Sequence, residues 1–294
     1  MTSKNNVTRP LRVSTTPNLH GCPNENLSEY LRQGVSFCKR MGFDAVDFHM
    51  PFLSLVGDRW EEVVTTAAQD AQAQGMRYEI CHLPFTNFEF MTEDKLAAFN
   101  AFVHQSIDAA AILGVDYAVL HPNTYTIPLK NFRRQEAYDA VMAHLSPFVE
   151  HASKVGVNIV VENMRVVHKS VMVHRYGDSP DEICEIADSL GVGICWDFGH
   201  ANIDGLKQSE ALAHVGSRVK VLHVNDNFGE EDIHIPPFCG NVDWKDAMQG
   251  LKNIGFNGLL NYEVLSPRIP DSAREAFARY LIAAAEELLA LFDS

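Results

Sequence analysis

The sequence predicts an α/β protein folded as a single (β/α)8 barrel, and three observations carry that expectation. Short β-branched or apolar runs alternate strictly with longer amphipathic ones, eight times along the chain. Strict alternation implies parallel strands joined by helical crossovers. The runs recur every ~25–40 residues, the repeat of a barrel unit, and 294 residues with no break in composition suit one barrel rather than two domains. An open doubly wound sheet would carry a glycine-rich phosphate turn after an early strand. The chain contains no GxGxxG.

Taken in order, residues 1–12 read as a flexible, polar N-terminal tail and residues 13–294 as the barrel domain. The tail carries Lys4 and Arg9 and lacks the apolar core of a secretory leader. Expected strands are Val13–Leu19, Ala45–His49, Tyr78–Leu83, Tyr117–His121, Asn158–Asn163, Val192–Phe198, Val219–Asn225 and Gly258–Val264. Between them, Leu96, Phe99, Val103 and Ile107 recur at helical spacing, as do Ala276, Phe277, Tyr280, Leu281, Ala284 and Leu288. Ser179-Pro180-Asp181-Glu182 reads as a helix start, with serine as the cap and proline in the first turn. Gly75, Gly114, Gly156, Gly191 and Gly255 fall where helices should stop.

Composition narrows the function. With 24 basic and 38 acidic residues the net charge is −14, which opposes nonspecific nucleic-acid binding. No run of about 18 uncharged apolar residues spans a membrane. Six scattered cysteines without a CxxC pair suggest reduced thiols and a cytoplasmic protein. Thirteen histidines on an acidic chain are the raw material of a metal site.

The ionisable residues fall in a pattern. His49, His82, His121, Glu162, Asp197, His223 and Glu263 end strands two to eight in turn. In a parallel barrel these ends share one rim, where barrel enzymes hold their active sites. Charged groups gathered at a low-dielectric rim need compensation, and a divalent cation supplies it. Oxygen ligands with an imidazole suit manganese, magnesium, cobalt or zinc. His200 follows Asp197 by three residues, and Asp232 and His234 stand two apart in the loop after strand seven. Aromatics at Phe52, Phe85, Trp196, Phe198, Phe228, Phe238 and Trp244 lie near the same rim.

Several motifs carry a family resemblance: Val161-Glu162-Asn163, Trp196-Asp197-Phe198-Gly199-His200-Ala201-Asn202, His223-Val224-Asn225-Asp226-Asn227, Asp232-Ile233-His234-Ile235-Pro236-Pro237, Val242-Asp243-Trp244 and Tyr262-Glu263-Val264. In order and strand position they resemble the xylose isomerase-like TIM barrel superfamily, and within it the sugar phosphate isomerase/epimerase family. The resemblance implies a divalent metal held by Glu162, Asp197, His223 and Glu263. It also implies proton abstraction beside a sugar carbonyl through a metal-stabilised enediolate, with Glu162 and Glu263 as acid–base groups and His200 assisting. His49, Asn163, Arg165, Trp196 and Arg268 are the expected substrate contacts. The expected partner is a small carbohydrate, not nucleic acid or a membrane, and the expected assembly a homodimer or homotetramer.

Two departures accompany the resemblance. Ketose 3-epimerases carry a further acid shortly after the strand-five glutamate and an arginine after the strand-seven histidine. Here those segments read Asn163-Met164-Arg165 and Val224-Asn225-Asp226. A dehydratase or lyase using the same chemistry is one alternative. Another is a multi-zinc phosphodiesterase resembling the related apurinic-site endonuclease family 2 barrels. That resemblance adds His82, His121, His200, Asp232 and His234 as metal ligands. Against it, the loop before Asp232 is short and no basic cluster follows any strand.

Overall fold

The computed structural model describes residues 11–21, 23–24, 26–86, 92–122, 127–165, 173–264 and 269–294. Eight parallel strands form the barrel: β1 (Arg12–Thr15), β2 (Ala45–His49), β3 (Tyr78–His82), β4 (Tyr117–Leu120), β5 (Ile159–Glu162), β6 (Gly193–Asp197), β7 (Val219–His223) and β8 (Leu259–Tyr262). From β1 to β7 each strand pairs with the next in sequence, and β8 pairs with β1, Ser14 opposite Asn261. Just past β7, Val224 bridges to Tyr262 and closes the ring. All eight expected strands are present.

The first strand is the one whose bounds differ most. It was expected to run to Leu19 but ends at Thr15, and Pro17–His20 forms a 3-10 turn. A proline cannot donate to the ladder of a strand paired on both sides. At its other end, Leu11 is buried in the core and the Arg12 guanidinium makes two hydrogen bonds to Glu79, at 2.7 and 2.6 Å. Leu11 and Arg12 thus belong to the barrel, and the remainder of the expected tail lies outside the described residues.

Helices α1 (Leu27–Met41), α2 (Trp60–Ala73), α3 (Glu93–Leu113), α4 (Arg134–Val155), α5 (Pro180–Leu190), α6 (Phe198–Ile203), α7 (Gln208–Val215), α8 (Trp244–Asn253) and α9 (Arg274–Asp293) connect the strands. Ser179 caps α5, accepting a hydrogen bond from the Glu182 N–H, as its sequence predicts. The stop at Gly114 has φ +67, the left-handed conformation that an L side chain resists. By length and apolarity alone α3 could cross a membrane, the one described helix that could. Here it packs between α2 and α4.

Strand alternation divides the core in two. Ala45, Ile80, Val119, Val160, Cys195, Val221 and Leu259 point inward and fill the barrel. Phe48, Cys81, Leu120, Val161, Trp196, Leu222 and Leu260 point outward and pack against the helices. The five described cysteines form no disulfide.

Candidate metal centre

The inner layer fixes what stands above it. Side chains two residues apart on a strand share a face. Above Ile80, Val119, Val160, Cys195 and Val221 therefore stand His82, His121, Glu162, Asp197 and His223. The lower layer seals the barrel with apolar atoms, and the upper one is ionisable. Above that layer lies a cavity of about 280 Å3. Among its lining residues are His82, His121, Glu162, His200, Asp232, His234 and Glu263.

Among the overlapping groups that the ligand-type atoms form, three cover the site. In each group these atoms lie within 4.8 Å of one another. The first joins His82, His121 and Glu162: Glu162 Oε2 is 3.2 Å from His121 Nε2 and 3.5 Å from His82 Nε2. The second joins Glu162, Asp197, His223 and Glu263: His223 Nδ1 is 3.2 Å from Glu162 Oε1 and 3.1 Å from Glu263 Oε2. The third joins His200, Asp232 and His234, with Asp232 3.3 Å from His200 Nε2 and 3.1 Å from His234 Nε2. Glu162 is shared by the first two.

Each group contains one buried atom that lacks a directed hydrogen bond: Glu162 Oε2, His223 Nδ1 and Asp232 Oδ1. A buried polar atom left unpaired is costly, and one in each group argues for a common cause. The imidazoles agree. Each of three histidines places Nδ1 on a backbone carbonyl at 2.8 Å: His82 on Leu83, His200 on Asn163 and His234 on Glu263. Donation from Nδ1 leaves the Nε2 lone pair facing its group, the usual posture of a metal-ligating histidine. The residues fit a divalent cation.

Asp197 is the most supported of these carboxylates. Its Oδ1 accepts from the His200 N–H at 2.7 Å and its Oδ2 from Asn225 Nδ2 at 2.7 Å. Asn163 clasps the Asp197 backbone, accepting from its N–H at 2.6 Å and donating to its carbonyl at 3.1 Å. Gly199 lets Asn225 approach: a Cβ at Gly199 would lie 2.0 Å from Asn225 Oδ1. The sequence motif around Asp197 is thus a device for holding one carboxylate.

Electrostatics divide the groups by sign. Burial alone would lower His200, but Asp197, Asp232 and Glu162 raise it to about 10. His234 likewise rises to about 10 against burial, through Glu263 and Asp232. Burial would raise Glu263, yet His223 and His234 bring it down to about 2. Asp232 is held well below the carboxylate range despite burial, through His200 and His234. Without a cation, protonated imidazoles supply the positive charge these carboxylates require.

The expected substrate contacts fare differently. Arg165 lines the cavity and pairs with Asp232, Nε to Oδ2 at 2.9 Å. His49 lies beside His82, ring centres 5.8 Å apart, and burial lowers it to about 4. Asn163 is buried and committed to Asp197, so it positions a ligand rather than meeting substrate. Trp196 is also displaced from that role. Strand alternation sends it outward, fully buried, where its Nε1 donates to Gln208 at 3.1 Å. Arg268 lies outside the described residues.

Asp226, in the motif that follows His223, is not at the cavity. It is instead a buried clasp, accepting from the backbone N–H of Asn227 and Val242 and from Trp244 Nε1. Two features, Arg175 and Asp47, went unread in the sequence, while Phe85 is among the expected rim aromatics. Arg175 lines the cavity from a loop with no strand-end signal. Phe85, half exposed, stacks on His121 with ring centres 4.5 Å apart. Asp47, buried in the barrel beneath the site, accepts from Asn261 Nδ2 at 3.0 Å and is raised by burial to about 6.

Comparison with known proteins agrees with this fold. A family model described as Xylose isomerase-like TIM barrel matches residues 35–284. The uncharacterized protein MJ1311 of Methanocaldococcus jannaschii is 30% identical over 215 residues, 70% of this chain and 71% of that protein. Inosose isomerase of Bacillus velezensis is 22% identical over 255 residues, 81% of this chain and 84% of that one. Among solved structures, a D-tagatose 3-epimerase-like protein superposes with a TM-score of 0.71 at 20% identity, covering 96% of this chain and 98% of the other. A 3-keto-D-glucoside 4-epimerase from E. coli gives 0.70 at 14% identity, covering 93% and 99%.

Proposed function

The chain belongs to the xylose isomerase-like TIM barrel family, and on that premise we propose that it is a divalent-metal-dependent sugar isomerase or epimerase. One observation carries the reading. Glu162 and Glu263, on different strands, bring carboxylate oxygens to 3.2 and 3.1 Å from the same orphaned nitrogen, His223 Nδ1. Inosose isomerase and the epimerases above, each named for rearranging a sugar or polyol ketone, support it.

Glu162, Asp197, His223 and Glu263 would hold the cation, which supplies Lewis acidity toward a carbonyl and its neighbouring hydroxyl. The protein supplies the proton chemistry. One of the two glutamates takes the proton from the carbon beside the carbonyl, and the other returns one from the far side or at the adjacent carbon. His200, its Nδ1 fixed by the Asn163 carbonyl, turns Nε2 to the cavity, where it would accept a hydrogen bond from a substrate hydroxyl. Phe85 offers an apolar face against which sugar C–H groups pack.

Two measurements test the reading. Metal analysis of the purified protein should find a tightly bound divalent ion that Glu162→Gln and Asp197→Asn remove; unchanged metal content sinks the site. Solvent-deuterium exchange followed by NMR over a panel of ketoses should label the carbon beside the carbonyl of at least one member.

A second reading rests on the third group, His200, Asp232 and His234, which completes a set for more than one cation. A multinuclear centre favours phosphodiester chemistry. About three metals per chain, cleavage of abasic DNA and no sugar exchange would replace the first reading with this one.

A further inference from the structure

Away from the rim, helices α3 and α4 pack against each other in the outer layer. On α3, His104 and Asp108 stand four residues apart and so share one face. Helix α4 brings His151 to them. His151 Nε2 lies 2.7 Å from Asp108 Oδ1. The His104 and His151 rings stand at 89° to each other, with centres 4.9 Å apart. The trio shares no residue with the three rim groups.

Residue type and spacing both fit a cation. Two imidazoles with one carboxylate are ligands for zinc, copper or nickel. Metal–nitrogen bonds of about 2.0–2.1 Å place the ring centres of two imidazoles on one cation about 4.5–5 Å apart, and the rings of His104 and His151 have that separation. A nitrogen and an oxygen on the same zinc stand about 3 Å apart, close to the contact that His151 and Asp108 now make through a proton. Phe148, buried on α4, packs edge-on against His104 with ring centres 5.1 Å apart and gives the trio an apolar side. Burial and the neighbouring His151 lower His104, which favours the neutral ring that binds metal. The His151 and Asp108 side chains are part-exposed, so an ion can enter from solvent and complete its shell with water.

We propose that His104, Asp108 and His151 form a second metal site, which takes zinc or a similar divalent transition metal and staples α3 to α4. The site lies outside the catalytic rim and stands whether or not the sugar isomerase reading does. The two helices flank β4 in the chain. A cation between them therefore braces the run of strands whose ends present His82, His121 and Glu162.

The test is calorimetric titration of the chelator-stripped chain with zinc, for wild type, His104→Gln, His151→Gln and Asp197→Asn. One zinc per chain should be lost, or held about tenfold or more weaker, in each histidine variant. That same zinc should still bind in Asp197→Asn, which removes a rim ligand and leaves the helices intact. A second readout needs no substitution. In the wild type, the imidazole NMR signals of His104 and His151 should shift together over the same zinc equivalent. The inference is overturned if both histidine variants take up zinc as wild type does, or if only one of them loses the ion. It is also overturned if Asp197→Asn loses the same ion, or if either ring signal stays unmoved at saturating zinc.

Discussion

Asp47 shows how much one buried atom can decide. It lies inside the barrel, 3% exposed, and its Oδ1 lacks a partner. Burial raises it from 3.8 to about 6 in the metal-free protein. A carboxyl raised on folding binds more protons folded than unfolded between those values, so stability falls as pH rises from about 4 to 6. Above that window the cost is complete, about 3 kcal/mol for a shift near two units. Asp47→Asn should therefore raise the melting temperature of the metal-free protein at pH 7 and leave it nearly unchanged at pH 3.5. Equal effects at both values would show that charge burial is not the cause. Gly199 is the second case. Alanine there would push Asn225 off Asp197, and loss of such outer support costs about 10- to 100-fold in metal affinity. Gly199→Ala should weaken metal binding in a competition titration while the fold, followed by circular dichroism, persists.

At the scale of elements, the α5 start illustrates a local signal with a distant use. Ser179 caps the helix, and Glu182 in its first turn holds His174 and the Gly177 N–H. Ser179→Ala should cost about 1 kcal/mol, the worth of a cap, and lower the melting temperature by about 2 °C. Glu182→Ala should in addition release His174 and the Gly177 N–H and lower the melting temperature further than Ser179→Ala does. An equal or smaller drop would show that the carboxylate does not anchor this segment.

At the scale of the molecule, the barrel gathers ligand-type residues from the ends of six strands, from α6 and from the loop after β7, so a metal held there would compete with protons for one set of atoms. In the metal-free protein His200 and His234 titrate near 10 and carry protons at pH 7. Metal loading at pH 7 must therefore release protons, and affinity must fall as the solution is acidified. Calorimetry in two buffers of different ionisation enthalpy checks this, and heats independent of buffer would contradict it. The stability these imidazolium pairs give the metal-free fold has the opposite dependence. Their raised values make it complete below about 6.5, the unfolded histidine value, and lost as pH rises through about 10. Chelation should lower the melting temperature, since a cation held by these residues would bind the folded chain alone.

Alternation and strand-end chemistry determined much of this protein from sequence. A period of two, repeated on eight runs, placed Ile80 beneath His82 and Val160 beneath Glu162 before any contact was known. The motif around Asp197 was legible because all its parts lie within a few residues. The same alternation carried information against Trp196, which shares a strand with Asp197 and must face the other way. Tertiary structure alone decided the rest. Whether Asp226 meets solvent or Trp244, whether Asn163 faces substrate or Asp197, and whether Arg175 reaches the cavity all depend on partners 18 and 34 residues away or on a loop's path. Strand periodicity is a local rule and survives in the sequence. A loop side chain takes its direction from what it can pair with, and that exists only once the barrel has closed.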